Sequence, residues 1–99
     1  MKEEEDVLYV HVRYKVKPGM RNAFVEAIKK AKISSRTMEE PGNFGYEFLI
    51  PMENEDELFL VECWENEEVL VPHREKEHFK ELQTIKAEYV LNTEIKRIN

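Results

Sequence analysis

Between Val7 and Lys17 the side chains alternate, with Val10, Val12, Tyr14 and Val16 set against His11, Arg13, Lys15 and Lys17. A period of two is that of a strand with one face on a core, and Pro18-Gly19 closes it as a turn. From Met20 the spacing changes. Met20, Phe24, Ala27, Ile28 and Ala31 recur at helical intervals, with Arg21, Asn22, Glu26, Lys29 and Lys30 round the rest of the cylinder. That pattern fades between Ser34 and Glu40 and stops at Pro41-Gly42-Asn43. Phe44–Ile50 then predicts a second strand, Pro51–Glu57 an acidic hairpin loop and Leu58–Trp64 a third strand. Asn66 caps a second helical region expected over Glu67–Tyr89. Pro72 inside it predicts a short first turn, a kink and a longer helix from His73. Leu91–Ile98 alternates again as a terminal strand. The order β-α-β-β-α-β predicts an α+β, ferredoxin-like fold with a four-stranded antiparallel sheet.

An antiparallel sheet with one wet face should alternate cleanly. Leu58–Trp64 does not: Phe59, Val61 and Cys63 share one parity, and Leu58, Leu60 and Trp64 the other. Phe44–Ile50 likewise sets Phe44, Tyr46 and Phe48 against Leu49. The expectation is that Phe59, Val61 and Cys63 meet the helices, while Glu62 and Trp64 point to a second face needing its own cover. Covering such side chains is worth roughly 1.5–3 kcal/mol each, against a total stability of about 5–15 kcal/mol. A second copy of the chain is the expected cover, burying on the order of 2,000 Å².

Composition narrows the class. A chain of 99 residues suits one domain, expected over residues 7–99 behind a charged leader at 1–6. With 15 basic and 21 acidic side chains the net charge is −6, which disfavours a nucleic-acid partner. The single Cys63 cannot form an internal disulfide, and the acidic start MKEEED has no apolar signal region. No apolar run approaches the ~20 residues of a membrane span. A cytoplasmic protein is expected, its partners a second copy of itself and a small molecule, with no membrane partner. No P-loop, G-x-G-x-x-G, H-E-x-x-H or C-x-x-C occurs, so neither metal nor other cofactor is expected.

The stretch from Glu40 to Phe79 carries Glu40-Pro41-Gly42, then Trp64-Glu65, then His73 nine residues after the tryptophan, and His78-Phe79 beyond. With Val16–Gly19 closing the first strand as VKPG, it resembles the antibiotic biosynthesis monooxygenase (ABM) domain family. That family includes quinol monooxygenases and enzymes that process a bacterial quorum-sensing signal. The resemblance implies a dimeric α+β barrel, its two sheets facing each other round a pocket. It also implies oxygenation of small quinol-like or polyhydroxylated substrates by dioxygen, without metal, flavin or haem. Family members that degrade haem carry an Asn, a Trp and a His where Val12, His73 and Gln83 stand, so haem degradation is not expected. Two alternatives stay open: an isomerase or other processor of a small carbonyl compound, and a non-catalytic dimeric ligand-binding module.

The candidate chemistry converges on a few side chains. His73 is the expected base, because an imidazole titrates near cellular pH, and Glu77 one turn later is the expected residue to orient it. Glu62, a carboxylate aimed into an apolar interior, must be paired or shifted in pKa, with Arg13 or Tyr46 as its expected partner. Trp64 is the expected stacking wall for a planar substrate. Tyr46, Arg13, His78 and Phe79 complete the expected substrate contacts, although His78 and Phe79 also suit a structural role. His73 and His78 stand five residues apart, about 140° round one continuous helix, which predicts that they cannot share a metal.

Overall fold

Residues 7–98 are described by a computed structural model; the leader at 1–6 and Asn99 lie outside the described residues. The strands are β1 (Leu8–Val16), β2 (Asn43–Leu49), β3 (Glu57–Trp64) and β4 (Val90–Ile98). The helices are α1 (Arg21–Lys30), α2 (Ile33–Met38), α3 (Leu70–Arg74) and α4 (Glu77–Tyr89). Pairing in the order β2-β3-β1-β4 is antiparallel throughout, which is the expected ferredoxin-like arrangement. Among the described residues no helix is long and apolar enough to cross a membrane.

Each predicted helix is divided, for a local reason. Lys32 adopts a left-handed conformation (φ 55°), which ends α1 and turns the chain into α2. Pro72 does not break its helix, because as the third residue of α3 it sits in the first turn, where a missing N–H costs little. The break falls instead at Glu75-Lys76, with Lys76 extended (ψ 148°), so the long helix begins at Glu77 rather than at His73. Asn66 Oδ1 accepts the Val69 N–H at 3.2 Å, but it closes the turn that precedes α3. The helix begins at Leu70 and not at Glu67, and its own N-cap is Val69, without a side-chain bond.

Strict alternation along β1 buries Leu8, Val10, Val12, Tyr14 and Val16 under the helices, against Phe24, Ile28, Ile33, Leu70 and Leu82. Register then decides the rest of the sheet. Leu8 pairs with Trp64, Val10 with Glu62 and Val12 with Leu60, and across β3 Glu62 pairs with Tyr46. Glu62 and Trp64 therefore face the helices, while Phe59, Val61 and Cys63 face away from them. This reverses the expected assignment of faces. Both parities of β3 are apolar, so that strand alone gives no sign; the unambiguous partner β1 supplies it. The outer face combines half-buried Phe59, Val61 and Cys63 with exposed Tyr9, His11, Arg13 and Lys15.

Candidate functional site

The site starts at a turn. Gly42 has φ +87°, a region favouring glycine, and a Cβ there would lie 2.7 Å from Val69 Cγ1. The turn is thus clamped beneath the segment leading into α3, and Glu65 N–H donates to Gly42 O at 2.8 Å. This clamp carries Glu40, two residues before Gly42, into the interior, where its side chain is 6% exposed.

Two imidazoles meet that carboxylate. Glu40 Oε2 lies 2.8 Å from His73 Nδ1 and 2.5 Å from His78 Nε2. With Glu40 as acceptor, both nitrogens donate, which leaves Nε2 as the basic atom of a neutral His73. The break at Glu75-Lys76 makes this convergence possible, since the two histidines stand on different helices and not 140° apart on one. The expectation that they cannot share a metal is accordingly overturned: the ligand atoms of Glu40, His73 and His78 all lie within 4.8 Å of one another. The trio could hold a divalent ion, but its O···N separations of 2.5 and 2.8 Å are those of hydrogen bonds. Ligands at ~2.0–2.2 Å round a tetrahedral ion would stand about 3.3–3.6 Å apart.

His73 packs on Trp64 at 4.6 Å between ring centroids and on Phe79 at 5.0 Å. Trp64 is 0% exposed, and its Nε1–H donates to Glu62 Oε1 at 2.8 Å. A cavity of about 150 Å³ between the sheet and α4 is lined by Tyr46, Glu62, His73 and Phe79, over a floor that includes Val10, Val12 and Leu60. Burial pushes the Glu62 carboxyl above its ordinary range, the Trp64 bond opposing. Burial also pulls His73 below its ordinary range, against the pull of Glu40, and raises the phenols of Tyr14 and Tyr46.

Four of the expected residues therefore gather round one cavity: His73, Glu62, Tyr46 and Phe79. It lies on the helix-covered face, not inside a barrel between two sheets. Trp64 stands behind the lining and supports His73 and Glu62. His78 is held by Glu40 outside the lining. Arg13 is not there at all; it lies on the opposite face, over the Phe59 ring at 5.3 Å and 3.8–4.0 Å from Glu94 and Glu57. Glu62 has Trp64 for its partner instead. Glu77 is exposed, and the residue orienting His73 is Glu40. The available signal for Glu40 was its place at the head of the Glu-Pro-Gly turn, which reads locally as punctuation.

The buried pair predicts opposite pH responses. Neutral His73 contributes stability above its unfolded pKa, and this is lost as pH falls through that value toward the lower folded one. Glu62 contributes below its ordinary pKa, and this is lost as pH rises through the higher folded value. Glu62→Gln keeps an acceptor for Trp64 and is expected to raise the melting temperature at pH 8 but not at pH 4. A scan showing equal shifts at both pH values would contradict the buried-charge assignment.

The sequence profile described as antibiotic biosynthesis monooxygenase matches residues 7–84. No curated protein matches the chain. Among solved structures, a conserved protein of Methanosarcina mazei is 26% identical, with TM-score 0.86 over 99% of this chain and 96% of that one. A Nitrosomonas europaea protein, provisionally named an antibiotic biosynthesis monooxygenase, is 19% identical, with TM-score 0.85 over 94% and 88%. A Bacteroides thetaiotaomicron protein of unknown function is 22% identical, with TM-score 0.83 over 94% and 96%.

Proposed function

We propose, for a chain that belongs to the antibiotic biosynthesis monooxygenase family, that the cleft between α4 and the sheet oxidises a small electron-rich substrate, quinol-like or polyhydroxylated, with dioxygen. The family supports a monooxygenase-like role in general, and the site supports the finer reading. Its main support is a buried imidazole that lines the cavity and is held by a carboxylate on its far nitrogen. His73 Nε2 takes the proton of the substrate hydroxyl. The anionic ring passes one electron to dioxygen, and the radical pair closes to a hydroperoxide on a ring carbon bearing hydrogen. Loss of water from that hydroperoxide leaves one oxygen atom as a ring carbonyl, so the substrate supplies both electrons. Glu62, with Oε1 held by Trp64, is the nearby carboxyl able to protonate the peroxide. The low-dielectric surroundings favour the neutral imidazole and the protonated carboxyl that these roles need.

No resident cofactor is part of this reading. Purified protein is expected to show no flavin or haem absorbance and far less than one metal per chain by elemental analysis. A stoichiometric divalent ion lost in His78→Ala would make the trio a ligand set and remove His73 as base.

Family members are commonly dimeric, and the outer sheet face, with Phe59 and Val61 half-buried on a wet surface, favours the same here. Val61→Asp is expected to give a folded monomer by light scattering, because Val61 lies outside the core beneath the helices. A dimer unchanged by that charge would exclude this face as the interface. Oxygen uptake with a reduced quinone, with one atom of labelled dioxygen retained in the product, tests the monooxygenation itself.

A further inference from the structure

The chain is acidic overall, at −6, yet Arg74, Lys86 and Arg97 all line the cavity that holds His73 and Glu62. These cations are not equivalent. Arg97 is paired with Glu67. Among the described residues, Lys86 and Arg74 have no carboxylate within ion-pair distance, and Arg74 is exposed. Lys86 is half-buried, its Nζ 5.3 Å from the centroid of the Tyr14 ring. A partly desolvated ammonium without a counter-charge is unfavourable by itself and attracts an anion into its pocket. The nearest candidate within the protein, Glu62, is already bonded to Trp64, and burial favours its protonated form.

The spacing along α4 sets the scale. Phe79, Leu82, Gln83 and Lys86 present one face of the helix to the cavity. From Phe79, which packs on His73, to Lys86 is seven residues, or about 10 Å along the axis. A ring with one acidic substituent, met by an extended lysine side chain, spans that interval while its hydroxyl stands at His73.

We propose that the substrate is an anion: a hydroxylated ring bearing a carboxylate or phosphate, anchored by Lys86 at the β4 end of the cleft, with Arg74 guarding the mouth. This rests on the assignment of the cleft as the oxidation site, but its test is binding and not turnover. Calorimetry under nitrogen would compare 2,5-dihydroxybenzoate with hydroquinone, which differ only in the carboxylate, and 4-hydroxyphenyl phosphate with phenol, which share one ring hydroxyl and differ in the phosphate. Wild-type protein is expected to bind at least one acid about tenfold or more tightly than its neutral counterpart. Lys86→Met should abolish that preference and leave the neutral ligand's affinity unchanged. The arm showing the preference identifies the anion. Equal binding within both pairs, or a preference that survives Lys86→Met, would overturn the proposal. Acid preference without any oxygen uptake would uphold the anchor and sink the oxidation reading; oxidation of hydroquinone without acid preference would do the reverse.

Discussion

Glu40→Ala is expected to cost about 3–5 kcal/mol of folding stability, a large part of the roughly 5–15 kcal/mol a domain of this size possesses. The side chain is 6% exposed and accepts from two buried imidazoles at once. Its removal leaves His73 Nδ1 and His78 Nε2 donating to nothing, in a space too well packed for easy solvation. It also unties three elements, because Glu40 follows α2, His73 lies in the last turn of α3 and His78 in the first turn of α4. Glu40→Gln separates charge from shape, since the amide oxygen can still accept while the negative charge is gone; a loss of about half that size is expected. Urea denaturation of both variants measures the difference. A cost below about 1 kcal/mol for Glu40→Ala would mean that the trio contributes little to the fold.

His73→Asn is expected to lower kcat/KM for a quinol substrate about 10²-fold or more. Asparagine can still donate to Glu40, so the buried carboxylate keeps both partners, His78 among them, and the loss reports on the missing basic nitrogen. Alanine would be a poorer probe, because it also opens a void against Trp64 and Phe79. The pH profile provides the second readout. His73 must be neutral to act, and burial lowers its pKa, so wild-type activity should persist below the ordinary imidazole range. In His73→Asn that acidic limb should vanish. An unchanged rate, or an unchanged limb, would remove His73 as the base.

Element types and their order were legible in the sequence because β1 alternates without exception and α1 carries a clean helical stripe. The site was legible only in part. His73, Glu62, Tyr46 and Phe79 were recognisable from residue chemistry and the family resemblance, yet their face was not. On β3 both parities are apolar, and only its register with β1 sends Glu62 and Trp64 under the helices. Arg13 was misplaced by the same inversion. Glu40 was missed because its partners lie 33 and 38 residues away, a separation that no local pattern encodes. Placing the helix break at Pro72 hid the convergence of His73 and His78, since the true break at Glu75-Lys76 depends on backbone geometry that neither residue announces.

Oxygen consumption on addition of a chemically reduced quinone, corrected for spontaneous oxidation, tests the proposed chemistry most directly. Wild-type protein freed of metal by chelation is expected to accelerate uptake at one dioxygen per substrate, with one oxygen atom of labelled dioxygen retained in the product and His73→Asn near background. Uptake no faster than without protein across neutral, carboxylated and phosphorylated quinols, or uptake equal in His73→Asn, would contradict it.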